Sequence, residues 1–389
     1  MVSVLEGVKV IDFSCDTAGA YAAMLLAEQG ADCIRVEPKT GGTSTPSPAF
    51  ALFNRSKRSI ALNLELPENR DALQRLLTKA DIFITDLDTA QKERLQLSYE
   101  ALAKVSPRLI YCSITPFGEK GPRAGEAASL DLVCAFAGTF GAQGGFGQPP
   151  VYVFLPFPAY AAAFLISYGA SLALLNREQT GRGQKVETSL LAGAVAMESS
   201  AFISSPTIQP VTVMRSVQQG VVPAYRLYEA QDGKWFIIAC GNPTFWNKLC
   251  MALDRVDLLS DPRFEGMPWA LADVNSRLAL TDIFTGMFAQ KPRAHWLKLF
   301  EDNDVPCAPV NTRAEFMDDP QVQHNHMMVE IEDRYFGKMR QMGIPLTLTD
   351  NPPLIKSPAP VPGEHTAAVL KEIGYQSRQI SALKRKGVI

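Results

Sequence analysis

Residues 8–37, VKVIDFSCDTAGAYAAMLLAEQGADCIRVE, decide the fold. The apolar run VKVIDF, 8–13, has the length of a buried strand. AGAYAAMLLAEQ, 18–29, then carries small and apolar residues at helical spacing and stops at Gly30. DCIRVE, 32–37, reads as the next strand. Strand, helix and strand in so short a span form a βαβ unit, which predicts a parallel sheet with helices on both faces.

The alternation continues outward from this unit. ENRDALQRLLTKA, 68–80, has helical spacing, and DIFITDL, 81–87, and RLIYCSI, 108–114, read as strands. The predicted fold class is α/β, with a Rossmann-like large domain. The first turn, SCDTAGAY, holds one glycine and no GxGxxG, which argues against a dinucleotide pyrophosphate on the first helix and so against a nicotinamide enzyme.

Residues 159–176 form a long Ala/Leu-rich helix, closed by the polar turn REQTGRGQ and followed by KVETSLLAGAVAMESSAF, a strand running into a helix. Periodicity is lost over 207–223, a predicted linker. AYRLYEAQDGKWFIIAC then reads as a hairpin turning at Asp232-Gly233. The expected organisation is a first part of the large domain at 1–206, the linker at 207–223, a smaller α+β domain at 224–330, and a return segment at 331–389 that completes the large domain and ends in the helix HTAAVLKEIG.

A chain of 389 residues exceeds what one core usually organises, which fits two domains. The composition is that of an ordinary globular protein, and 38 basic against 40 acidic side chains point to no nucleic-acid partner. The N-terminal stretch MVSVLEGVKVIDFS has no basic leader before an apolar run, and the nearest approach to a membrane span is the Ala-rich 159–175. The expected location is cytoplasmic, with no membrane partner. Seven cysteines without a CxxC pair fit reduced, packed thiols.

Few residues offer chemistry. The four histidines include His324 and His326, whose spacing does not suit a helical two-His metal site, so no metal is expected. No serine stands in a GxSxG elbow, and no cysteine in a recognisable nucleophile motif. The cluster NRSKRS, 54–59, sets Lys57 and Arg58 as candidates to face a phosphate-rich ligand, against the plainer reading of a solvated charge run.

Seven ordered segments, LEGVKVIDFS, GADCIRVEP, FNRSKRSIALNL, PRLIYCSITPFGEKGP, LLNREQTGRGQKVETSLL, VPCAPVNTRAEFMDDPQV and GEHTAAVLKEIGY, resemble the hallmark blocks of the class III CoA-transferase family. That family includes formyl-CoA and carnitine CoA-transferases and the related α-methylacyl-CoA racemases. The resemblance spans nearly the whole chain. It implies an interlocked, ring-like dimer, with coenzyme A or acyl-CoA as substrate on the large domain. It further implies cofactor-binding positions at Lys57, Arg58 and Arg94, and at Thr17, Asp86 and Leu87, which stand where relatives contact CoA.

The family mechanism, as the resemblance implies it, uses an Asp carboxylate that attacks the donor thioester, forming a mixed anhydride and then an enzyme-CoA thioester before the acceptor acid takes CoA away. Counted back from TGRGQ, that Asp falls at Ala159, in FLPFPAYAAAF, 154–164. A methyl group cannot form an anhydride. Neighbouring positions also depart from the family pattern. Thr85-Asp86-Leu87 replaces a common Glu-Asn-Phe, Gly19-Ala20 a Gly-Pro, Ser129 a Tyr, Thr17 a Gln of the formyl transferase, and Pro38 an Arg.

Three readings follow. The chain is a non-catalytic subunit paired with a homologous Asp-bearing chain, as in the succinyl-CoA-dependent benzylsuccinate transferase type of anaerobic aromatic degradation. Alternatively it is an Asp-to-Ala variant of a homodimeric transferase, or a CoA-binding protein with other chemistry or none. The racemase branch needs an acid-base pair, and its Asp would also fall on Ala159, while no histidine occurs between residues 1 and 294.

Overall fold

A computed structural model describes residues 3–38, 47–143, 149–203, 205–206, 219–269 and 273–385; residues 207–218 of the predicted linker and 144–148 of the glycine-rich stretch 138–157 lie outside them. The chain divides into two compact units, one of Met1–Thr139, Phe154–Ser199 and Gln323–Ile389, the other of Phe140–Val153 and Ser200–Val322.

The first unit opens with β1 (Lys9–Phe13), α1 (Thr17–Glu28) and β2 (Asp32–Pro38), the βαβ unit read from residues 8–37. Next come α2 (Pro48–Phe53), β3 (Arg58–Leu62), α3 (Pro67–Thr78), β4 (Ile82–Thr85), α4 (Thr89–Arg94), α5 (Tyr99–Val105) and β5 (Ile110–Thr115). After α6 (Leu130–Ala137) and the short α7 (Thr139–Gln143), the chain runs through α8 (Phe157–Thr180), β6 (Lys185–Ser189) and α9 (Leu190–Met197). Local chemistry sets several boundaries. Ser47 accepts from the Phe50 amide ahead of Pro48 at the start of α2, and Asp88 and Gln91 form a capping box on α4. Gly181, at φ 69°, ends α8.

The six strands are all parallel, in the order β3-β2-β1-β4-β5-β6. Each face carries its own core. Ala22, Met24, Ile84, Cys112, Ala162, Ile166 and Ala170 fill the side covered by α1 and α8. Leu73, Leu76, Phe83, Tyr111, Val369 and Leu370 fill the other. Burial on both faces is why these strands read as continuous apolar runs rather than alternating ones.

In the second unit, β7 (Gly220–Val222), β8 (Tyr225–Glu229) and β9 (Trp235–Ala239) form an antiparallel sheet, with α10 (Pro243–Ala252), α11 (Val274–Phe288) and α12 (Arg293–Asp302). The last strand, β10 (Cys307–Pro309), pairs with β9. The β8–β9 turn holds Gly233 at φ 70°. A dense aromatic core of Tyr228, Phe236, Phe284, Phe288, Trp296 and Phe300 lies beneath the sheet. Residues 140–153, expected in the large domain, fall in this second unit; the Val151 amide donates to the Phe140 carbonyl and the Phe140 and Tyr152 rings lie 5.3 Å apart, folding the segment on itself.

Past α13 (Arg313–Met317) and α14 (Pro320–His324), the return segment supplies the hairpin β11 (Met328–Asp333) and β12 (Gly337–Met342), then α15 (Thr366–Glu372) and α16 (Ser377–Arg385). It docks on the edge strand β3: the Gly363 amide donates to Ser59 Oγ at 2.8 Å and the Ala61 amide to Thr366 Oγ1 at 3.1 Å. That covers an otherwise open sheet edge. The hairpin is held by Arg55, fully buried, which donates to Glu28 Oε1 at 2.5 Å, to Gln341 Oε1 at 3.1 Å and to the Met342 carbonyl.

By length and composition α8, at 24 residues and including the Ala-rich 159–175, is apolar enough to cross a membrane. Its Ala162, Ala163, Ile166, Ala170 and Ala173 are fully buried in the first unit's core. Gly193 of α9 lets the two helices meet backbone to backbone, since a Cβ there would lie 2.2 Å from the Pro158 carbonyl oxygen.

Candidate functional site

In an open parallel sheet, ligands bind beyond the carboxyl ends of the strands, where neighbouring connections leave in opposite directions. Here that point lies between β1 and β4. The loop after β1 carries Ser14, Cys15 and Asp16, and the loop after β4 carries Asp86. The Asp86 carboxylate accepts from the Cys15 amide at 2.8 Å and from the Asp16 amide at 2.7 Å. Backbone amides at the head of α1, which bind phosphate in nucleotide enzymes, are therefore taken by the chain's own carboxylate. Burial pushes Asp86 up to about 6, against the pull of these two amides.

A cleft of about 190 Å³ opens beside it, along the ends of β4 and β5, lined among others by Asp86, Thr89, Gln91, Thr115 and Phe117. Arg123, also on its wall, stacks over the Phe117 and Phe136 rings at 4.9 and 4.3 Å. Glu119 sits deeper, receiving Lys92 at 2.8 Å, Ser113 Oγ at 2.5 Å and Lys185. Burial works against its charge, but these three donors outweigh it and hold Glu119 at about 2. This cluster was not singled out from the sequence, because the partners of Glu119 lie up to 66 residues from it.

Under the first turn, Asp12 is fully buried and accepts from Ser14 Oγ at 2.5 Å, Lys57 Nζ at 2.7 Å and Arg35 at 3.3 Å. Burial favours its neutral form, yet the two cations prevail and keep its carboxyl below the usual range. Gly19 allows α1 to close on Ser14, where a Cβ would lie 2.3 Å from the Ser14 Cβ.

Lys57, a candidate to face a phosphate-rich ligand, points inward instead. Its ammonium has three donors, and Asp12, the Ala20 carbonyl and the Asn54 side-chain oxygen take all three at 2.7 to 2.9 Å, away from solvent. Arg58 is likewise committed, forked onto Asp32 at 2.7 and 2.9 Å and onto Glu372 at 2.7 and 3.0 Å. It stands at the amino end of β3, opposite the strand ends where the cleft opens. The Leu87 side chain is buried in the core of the far face. Thr17 opens α1, next to the Asp86 contact. Arg94 is exposed and, among the described residues, bridges only to exposed Glu65 at 2.7 Å, a pair weak enough to exchange for a ligand anion. Ser129, in place of the family Tyr, caps α6.

Ala159 is the third residue of α8 and is 4% exposed. The first turn of a long helix favours an anion through the helix dipole, and this one carries no acidic residue. Among the described residues no group of three His, Cys, Asp or Glu side chains converges as a metal site. Cys33 and Cys112 are buried thiols pushed up to about 12.

A Rossmann-like parallel sheet with an acid-lined cleft at its switch point defines the class of fold, and comparison with known proteins supplies the family. The model of CoA-transferase family III matches residues 5–366. Mouse succinyl-CoA:glutarate CoA-transferase is 29% identical over 99% of this chain and 90% of that protein. A formyl-CoA:oxalate CoA-transferase of Escherichia coli O157:H7 is 26% identical over the full length of both. The crystal structure of a CAIB/BAIF family protein from Brucella suis superposes with a TM-score of 0.84 at 27% identity, covering 96% of this chain and 100% of that one. The chain belongs to CoA-transferase family III, whose chemistry is the transfer of CoA between an acyl-CoA and a carboxylic acid.

Proposed function

We propose that this chain is the non-nucleophilic subunit of a class III CoA-transferase, paired with a homologous chain that carries the reactive Asp. The observation that carries this reading is Ala159: the first turn of α8, where the resemblance puts the nucleophile, presents a methyl group inside a packed core. Without an oxygen at that point no acyl-carboxylate anhydride can form, so the bond to the acyl carbon must be made by another chain.

Two features support a partner chain. Phe164, Tyr168, Leu172 and Leu175 recur at helical spacing along α8, each 46 to 65% exposed, and Val195 and Met197 of α9 are also exposed. An apolar face of this extent marks an interaction surface. This fits the interlocked dimer that the resemblance implies. In this assembly the chain would hold CoA beside the switch-point cleft, with Thr17, Asp86 and the Leu87 backbone at the strand ends and Arg94 in reach of a phosphate. A charged carboxylate at Asp86 favours the neutral pantetheine arm over phosphate in the crevice itself.

Native mass spectrometry of the assembly from its own source tests the pairing. The expected result is a stable complex with a second, homologous chain and CoA transfer only in that complex. If the chain proves to be a lone homodimer and Ala159→Asp alone confers full acyl exchange, it is an inactivated homodimeric transferase instead.

A further inference from the structure

In the second unit, Arg226 of β8 and Arg277 of α11 line one small cavity together with Gly220, Val221, Leu278 and Thr281. Arg226 donates to Thr281 Oγ1 at 3.4 Å and lies over the Tyr228 ring at 5.2 Å. Its Nε is buried without a hydrogen-bond partner among the described residues. The residues directly across the sheet from it, Gly220 and Ile238, carry no charge. Arg277 donates to the Val221 carbonyl at 3.3 Å.

A buried guanidinium N–H left unmade, as at Arg226 Nε, is costly. That cost falls when an anion enters. The cavity holds about 50 Å³, room for one oxyanion head and far less than a nucleotide needs. Its walls at Val221, Val222, Pro223 and Leu278 are apolar, which suits the alkyl end of an organic acid better than a fully hydrated inorganic ion.

We infer that this cavity is a binding site for a small organic carboxylate, gripped by Arg226, which the Thr281 hydroxyl holds in place while donating its own proton to the Arg277 carbonyl at 2.9 Å. The site stands on the second unit alone and is independent of the reading of Ala159. Thermal unfolding of the full chain, titrated with sodium propionate, inorganic phosphate or chloride at matched ionic strength, tests it. Propionate is expected to raise the midpoint saturably above chloride. Arg226→Gln should abolish that rise. A crystal soaked in bromoacetate should place bromine in the cavity. The inference is overturned if propionate behaves as chloride does, if Arg226→Gln keeps the full rise, or if bromine is found only elsewhere. An equal rise with phosphate overturns the carboxylate assignment. Should Arg226→Gln fail to fold, wild-type crystals with no bromine in the cavity overturn the site.

Discussion

Asp86 Oδ2 lies 2.7 Å from the backbone nitrogen of Asp16, so the loop after β4 fastens the head of α1 across the switch point of the sheet. This carboxylate closes the crevice with a charge that burial opposes, and the protein's pH dependence follows from that conflict.

Burial raises Asp86 from 3.8 to about 6 in the folded chain. Its contribution to stability is therefore fully present below about pH 4 and is lost as pH rises through about 6. At 1.36 kcal/mol per pH unit the loss is about 3 kcal/mol. Asp86→Asn keeps an oxygen for the Cys15 and Asp16 amides and removes the charge. It is expected to be about 2–3 kcal/mol more stable than wild type at pH 7.5 and equal to it at pH 4, measured by urea unfolding at each pH. A wild type that is the more stable at pH 7.5 would show that the amides outweigh burial.

Glu119 behaves oppositely, because its donors hold it at about 2 against an ordinary 4.5. Its contribution is present above pH 4.5 and disappears as pH falls through about 2. Glu119→Gln leaves the buried Lys92 ammonium without its carboxylate. A cost of about 2 kcal/mol at pH 7 is expected, discounted for partial exposure of the Glu119 side chain. The difference from wild type should shrink steadily in unfolding curves taken toward pH 2; a constant difference would assign the loss to packing alone.

The crossing of α8 and α9 depends on Gly193. An added methyl would meet the Pro158 carbonyl oxygen at 2.2 Å, backbone that cannot move aside without shifting α8 at Ala159. Gly193→Ala is expected to cost about 3 kcal/mol. Gly286, in α11, has nothing within 4 Å of where a Cβ would stand and serves as the control. Gly286→Ala should raise stability by about 0.5–1 kcal/mol through helix propensity. If both variants melt alike, close backbone contact is not what fixes the crossing.

Much of the architecture was legible because it rests on local signals. The strand-helix-strand period of 8–37, the hairpin glycine at 233 and the glycine that ends α8 are set by neighbours a few residues away. The partners of Lys57 and Arg58 were not legible, for the opposite reason. A basic run such as NRSKRS looks the same whether water or a carboxylate surrounds it, and the carboxylates that hold these two residues lie 26 to 314 positions distant. Leu87 likewise sits where a ligand loop is expected, and only the sheet reveals that its side chain turns to the core.

By itself the sequence determined the parallel α/β sheet and the family blocks, since period and residue identity are written along the chain. Only the tertiary structure decided which charges are free and which are locked, where the cleft opens, and that Arg226 and Arg277 share a cavity. Electrostatic pairing acts through space over a few ångströms, and folding brings together side chains that chain order keeps far apart.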